Sequence, residues 1–399
     1  MTNIKEKITS KNGKTLFFTI IIATMVATIS VGNNADNVFA AEKTSSGFTD
    51  EQKEKYLSMV ENKAKVTNTM SQIKKDRINE KIMADQRIQD LTKNHKVILN
   101  SYSYHGYLDE LEKDPNVVLD IVLHYTVDDK SLTVMVDGET DEILGIHMES
   151  IDGKMPANNA HIVKYPTVFN PALDGIRMDM HAPDFTGESN TGSTFLLLNA
   201  QKYYNDPPSV DVCDSNDFPD AYWQQVGLRF DADGDMIIVW TDTLEECVPR
   251  TLMTDLSGSH GTPSNVDEDD DLIFQIDADD STDKWTLYAI NNSKSEFWYH
   301  TETVSGTDDF LRHHTTSVFY ENPQDADDGW SAGFNEDPLV DNAYYRSVST
   351  GVWDYWDSET ADDINCHPGG QSASDYISGD SENGITFDVA EIDDSCGNQ

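Results

Sequence analysis

Between Ser193 and Val389 apolar and polar residues alternate in short runs: Phe195 to Leu198, Tyr222 to Phe230, Met236 to Trp240, Leu272 to Ile276, Trp285 to Ile290, Phe297 to Thr303, Thr316 to Tyr320 and Ile385 to Val389. Side chains two positions apart share a face of a strand, so this spacing predicts β-strands, and no helical period of useful length interrupts them. Residues 193–399 should therefore form an all-β two-sheet sandwich or jelly roll. Asp233-Gly234, set between Phe230 and Met236, is the strongest hairpin signal in the chain.

A different pattern precedes it. From Phe48 to about Asn94 the chain has no Gly or Pro and is dense in Lys, Glu, Gln, Met and Ile, which predicts long helices, two of them. Thr49 and Gln52 have the spacing of a capping box at the start. Tyr56, Met59, Val60, Ile73, Ile78, Ile82 and Ile88 are too sparse for a coiled coil, so these helices pack on one neighbour or act as a spacer. Residues 96–150 return to short β-type runs, with turns at Asp137-Gly138 or Thr140-Asp141. Pro156, Pro166, Pro171 and Pro183 mark 151–192 as a linker.

The amino terminus decides the compartment. Lys5, Lys7, Lys11 and Lys14 precede an uncharged run, Leu16 to Val31, and small residues follow at Ala40-Ala41, the pattern of a secretory signal over about residues 1–40. The run is shorter than the ~20 apolar residues of a spanning helix, so membrane contact is expected only through an uncleaved signal segment. The organisation read from the sequence is a signal peptide (1–40), an α+β module (41–150), a linker (151–192) and the sandwich (193–399), in a secreted or envelope-associated protein.

Charge narrows the partners. The net charge is −44, and residues 181–399 hold about 46 acidic against about 7 basic side chains. Such a field repels nucleic acid and anionic membranes and attracts cations. Cys213, Cys247, Cys366 and Cys396 all fall in the acidic half, and export makes two disulfides the default reading, with three pairings open. Asp231, Asp233 and Asp235 begin like a calcium loop, but Met236 stands where an EF-hand needs Gly, so the segment reads first as a hairpin turn. The number of such acidic turns allows a structural Ca²⁺ outside the cell; no other cofactor is required. His313-His314 point to opposite faces of a strand and make a poor metal pair. Asn291-Asn292-Ser293 is a glycosylation sequon. Tyr344, Tyr345, Trp353, Tyr355 and Trp356 form an aromatic cluster suited to sugar rings or to packing.

Period-two reading around residue 225 sets Val226, Leu228 and Phe230 on a core face and Trp223, Gln225, Gly227 and Arg229 on the other, where the side-chain gap at Gly227 suits a groove. Glu321 ends the apolar run from Ser317, a setting that raises a carboxyl pKa. Trp223-Gln224-Gln225-Val226-Gly227-Leu228, Asp269 to Ile276, Trp285 to Ser293 and Thr316 to Pro323, in this order, resemble four strands of the glutamic peptidases, the eqolisins, over about residues 193–335. That resemblance implies a concanavalin-like jelly roll and a catalytic pair of Gln225 and Glu321, with Trp223 and Trp240 lining the substrate groove. In that chemistry the carboxylate acts as general base and then acid, while the amide donates to the oxyanion. The family's cleft tyrosines are absent around Trp240, and Ser317 or Val318 replaces the first Glu of its "AEWIVE" strand. Val134 to Ile146 resembles the PepSY-like modules that precede some secreted peptidases, over about residues 75–150. Two functions follow as expectations: a secreted peptidase acting on peptide or protein, or a non-catalytic, Ca²⁺-stabilised sandwich that binds glycan or an envelope protein.

Overall fold

Three helices, not two, fill the stretch without Gly or Pro: α1 (Asp50–Thr67), α2 (Gln72–Ala84) and α3 (Gln86–Thr92). The structure is a computed structural model that describes residues 48–67, 71–93, 95–128, 130–150, 161–166, 173–186, 193–203, 221–231, 234–243, 250–253, 266–279, 282, 284–303, 317–322, 334–356, 365–366 and 377–387. α1 opens as its sequence dictates. The Thr49 N–H donates to Gln52 Oε1 at 2.9 Å, and the Gln52 N–H donates back to Thr49 Oγ1 at 3.4 Å. The extra break is the work of Asp85, whose extended backbone closes α2 through its N–H to Ile82 O and whose carboxylate accepts from the Arg87 N–H to start α3.

Nineteen strands follow among the described residues. β1 (Val97–Tyr107), β2 (Asp120–Val127), β3 (Lys130–Val136) and β4 (Ile143–Ser150) form a meander, with the short helix α4 (Leu108–Lys113) between the first two. β5 (His161–Pro166) and β6 (Leu173–His181) come next, then β7 (Ser193–Tyr203), β8 (Ala221–Asp231), β9 (Met236–Thr243) and β10 (Arg250–Met253). β11 (Asp271–Asp279), β12 (Lys284–Asn291), β13 (Glu296–Thr303) and β14 (Ser317–Asn322) precede β15 (Leu339–Ser347), β16 (Trp353–Tyr355), β17 (Asn365–Cys366), β18 (Ile377–Asp380) and β19 (Gly384–Phe387). The large sheet runs β18-β19-β15-β6-β11-β12-β13-β1-β2-β3-β4, with β16 beside β15, and the small one runs β10-β9-β8-β7-β14-β5-β17. Every registered pairing is antiparallel.

Two expectations of organisation give way here. The amino-terminal meander is continuous with the rest, because β1 pairs β13 from Ser103↔His300 to Tyr107↔Glu296. The expected linker supplies β5, paired with β14, and β6, which sits between β11 and β15 inside the large sheet. Gly47–Gln399 is accordingly one compact unit. Prolines obscured this, and so did the charges of β6: Ile176, Met178 and Met180 alternate with Arg177 and Asp179, and both sets are buried.

The two faces of the large sheet explain that double burial. Ile176, Met178, Phe274, Ile276, Leu287 and Trp298 pack against Leu196, Leu198, Val226, Leu228, Trp240 and Val318 of the small sheet, which makes the predicted two-sheet sandwich. On the opposite face Tyr104, Leu123, Tyr125, Val134, Ile273, Tyr288 and Ile290 pack beneath Leu57, Val60, Ile78, Ile82 and Ile88 of the helices. Each such side chain contributes about 1.5–3 kcal/mol on burial, so the helices are bound layers rather than spacers. The turns obey their residues. Asp137 Oδ1 accepts from the Glu139 and Thr140 N–H groups at 2.8 and 2.7 Å, and these backbone bonds, Thr140 first, hold its carboxyl below the usual range. Lys74 of α2 donates to Gly138 O at 2.7 Å and pins this turn. At the other predicted hairpin Gly234 adopts φ +96°, and its N–H donates to Asp231 O at 2.9 Å.

One interior residue costs stability. Gln224 is fully buried opposite Ala200, on the side of β8 that faces the large sheet, and neither amide atom has a hydrogen-bond partner among the described residues. Replacing it with a side chain of similar shape and no polar atom removes a desolvation penalty without opening a cavity. Gln224→Met is expected to stabilise the protein by roughly 1–2 kcal/mol, read as a higher urea midpoint at unchanged slope.

Candidate functional site

Gln225 lies in the middle of the small sheet and is buried. Its backbone is level with Asn199 of β7 and Thr241 of β9, and its Nε2 donates to Asn199 Oδ1 at 3.2 Å. Across β7 the residue of β14 level with Asn199 is Ser317. Glu321 lies elsewhere: it is level with Phe195, which is itself level with Arg229. Two strand spacings and four residues separate the backbones of Gln225 and Glu321, about 10 Å across the sheet and about 13 Å along it. The register thus brings a serine, not the expected carboxylate, into the row of the amide.

The gap expected at Gly227 is closed. A Cβ added there would meet Leu196 O at 2.2 Å and Leu197 Cδ2 at 3.0 Å, so a neighbouring leucine already occupies that space. Leu197 packs with Ile237, Val239 and Phe195 in a small apolar cluster, Leu197 and Val239 between the levels of Gln225 and Glu321 and the other two at the level of Glu321. Trp240, expected to line a groove, is 2% exposed and belongs to the sandwich core. Its position level with Val226 puts it on the inward face, where its ring stacks on His300 at 6.0 Å and meets His124 edge-on at 5.8 Å. Trp223 is level with Gln201 and Thr243, and its side chain falls outside the described residues.

The remaining candidates divide similarly. Asp231 accepts from Arg229 Nη2 at 2.6 Å and its N–H donates to Asp235 O at 2.9 Å, which makes the segment a hairpin turn with one carboxylate already neutralised; Asp233 lies outside the described residues. Cys213, Cys247 and Cys396 lie outside them too, as do His313 and His314, and Cys366 is described only as backbone of β17. Asn291 is 1% exposed, donates to Asp270 Oδ2 at 2.8 Å and accepts from the Lys294 N–H at 3.0 Å. A buried amide held at both ends is no glycan acceptor.

The richest polar constellation sits on the helix-facing side of the large sheet. Asp179 grips Arg177 with two bonds of 2.6 Å, from Nε and Nη2, and Glu54 of α1 takes Nη1. Lys53 of α1 pairs with Asp271 at 2.9 Å. Gln275 Nε2 donates to Glu61 Oε1 of α1 at 2.8 Å and to Asp277 Oδ1 at 2.9 Å. Arg346 donates through Nε to Asp174 Oδ1 at 2.6 Å and through Nη2 to Asp277 Oδ1 at 3.3 Å. Burial pushes the Asp277 carboxyl up to about 7, with Arg346 opposing and Glu61 and Asp174 reinforcing the rise.

Aromatic rings border this network. The Arg346 guanidinium lies 4.9 Å over the Trp353 ring and that of Arg177 lies 5.0 Å over Tyr344, while Tyr344 and Tyr355 stack at 4.8 Å. Gly175 makes the room: a Cβ there would fall 2.8 Å from the Trp353 ring and 3.1 Å from Asp277 Oδ1. Tyr355 is 42% exposed and Trp353 is half-buried, so the rings are open to solvent. The aromatic cluster read from the sequence therefore divides, since Trp356 belongs to the sandwich core and Tyr345 packs against it.

No family model matches the chain, and no curated protein matches it. Among solved structures it is similar to Scytalido-glutamic peptidase with a peptide-based transition-state analogue, at 9% identity and a TM-score of 0.28, over 58% of this chain and 98% of that one. It is also similar to the enzymatically active domain of bacteriophage CBA120 tailspike protein 2, at 13% identity and a TM-score of 0.24, over 47% of this chain and 24% of that one. Likenesses this faint carry neither fold nor function to the present chain.

Proposed function

We propose that this chain is an exported, non-catalytic glycan-binding protein whose ligand seats on Trp353 and Tyr355 at the outer face of the large sheet, with Tyr344 held between Arg177 and Tyr355 beneath them. The observation that carries the reading is the open aromatic rim directly beside hydrogen-bonding carboxylates and guanidinium groups. Sugar rings stack their C–H faces on such rings while their hydroxyls bond the polar edge. The charge of −44 favours this partner class over nucleic acid or anionic lipid. Peptidase chemistry finds less support, since Glu321 is level with Phe195 and Arg229 rather than with Gln225.

The test pairs two assays. Titration against a panel of neutral and charged polysaccharides is expected to detect binding that falls at least about tenfold in Trp353→Ala and Tyr355→Ala, with thermal unfolding of both variants close to the parent. Incubation with denatured protein from acid to neutral pH is expected to give no cleavage. Cleavage that disappears in both Gln225→Ala and Glu321→Ala would overturn the reading, as would polysaccharide binding indifferent to the aromatic substitutions.

A further inference from the structure

The network beside the aromatic rim is short of positive charge and of donors. Lys53, Arg177 and Arg346 face Asp271, Asp179, Glu54, Asp174, Asp277 and Glu61, three cations against six carboxylates. The deficit is local: Lys53 and Arg177 are engaged at one end, while Asp174, Asp277 and Glu61 at the other share Arg346 and the amide of Gln275. Glu61 bonds Gln275 and makes no direct ion pair among the described residues, although its charge reaches Arg346. Gln275 itself is fully buried, and with its Nε2 committed to both carboxylates its Oε1 has no donor among the described residues. Turning the amide over does not help, because it would set oxygen against two carboxylates. Here, then, are three carboxylates partly open to solvent, a carbonyl sealed beneath them and one guanidinium, flanked by Trp353.

A group that satisfies such a site brings several N–H donors and a positive charge, and an aromatic face adds to its attraction. Resting on the glycan reading above, we propose that Glu61, Asp277 and Asp174 bind a primary ammonium group, so that the glycan recognised is one that carries free amino groups. Asp277 supplies a pH signature. Its carboxyl, near 7 in the folded protein, is surrounded by Glu61 from α1, Asp174 from β6, Arg346 from β15, Gln275 on its own strand and Tyr288 from β12. An ammonium ligand favours the ionised carboxylate, so affinity for an amine that keeps its proton, such as a lysine side chain, should rise as pH rises through about 7.

The deciding experiment is calorimetric titration of the full chain with a glucosamine hexamer, its N-acetylated counterpart and a lysine hexamer. The expected result is binding of the glucosamine hexamer at least about tenfold tighter than of the acetylated one, reduced about tenfold in Glu61→Gln and in Asp277→Asn, with parental thermal unfolding as the control for each variant. Equal binding of both hexamers, unaffected by either variant, would overturn the ammonium site and leave glycan binding standing. Binding of the lysine hexamer alone, lost in Glu61→Gln, would keep the ammonium site and overturn the glycan. Absence of binding by all three overturns the ammonium site and leaves the glycan reading to the polysaccharide panel.

Discussion

Gly227→Ala is expected to be the most damaging single-methyl change in the molecule's small sheet, lowering stability by roughly 3 kcal/mol or more and cutting soluble yield. The added Cβ would sit 2.2 Å from Leu196 O and 2.8 Å from Leu197 Cα, both backbone atoms of the neighbouring strand. Backbone cannot rotate aside as a side-chain tip can. β7 is held between β8 and β14 and carries Leu196 and Leu198 into the sandwich core, so relief would require moving a strand registered on both edges. A second glycine gives the control. Gly351 has φ +65° and nothing within 4 Å of a built Cβ, so Gly351→Ala should cost only the ~1 kcal/mol of a left-handed residue. Urea unfolding of both variants checks the pair, and equal, small shifts would show that the sheet yields where these distances say it cannot.

That glycine also shows what the sequence could and could not reveal. Its place on the face opposite Val226 and Leu228 was legible from alternation alone, as were the Asp233-Gly234 hairpin and the capping box at Thr49. What filled the space above it was not legible, because Leu197 comes from another strand and its register is set by tertiary pairing. Glu321 and Ser317 illustrate the same limit. A period of two assigns a residue to a face, but the row it occupies depends on where the partner strand begins, and that row puts Ser317 level with Gln225. The outer network was hidden for a further reason. Arg177 and Asp179 alternate with Ile176 and Met178, a pattern that reads as half solvent-exposed, and α1 covers the charged half only because Lys53, Leu57 and Glu61 recur at helical spacing. Sequence periodicity holds the faces; the partner of each face is a long-range fact.

Arg177→Met carries the other large expectation, a loss of about 3–5 kcal/mol at neutral pH. The guanidinium is the cation that answers Asp179, and the two side chains are only 4% and 3% exposed. Removing it strands a buried carboxylate, whereas the exposed Glu54 on α1 can turn to water. The pH dependence separates this cause from simple loss of packing. Burial already raises the Asp179 carboxyl in the intact protein against the pull of Arg177, and without that pull its folded pKa climbs further above the unfolded one. A folded carboxyl with the higher pKa binds protons that the unfolded chain has released, so the variant should lose stability as pH rises from about 4 and recover it as pH falls. Replacing the pair together, Arg177→Met with Asp179→Leu, removes the stranded charge and should restore most of the loss with little pH dependence. Equal destabilisation of the single and double variants across that range would mean that Arg177 acts through its contact with Tyr344 and the α1 layer, and that the ion pair contributes little.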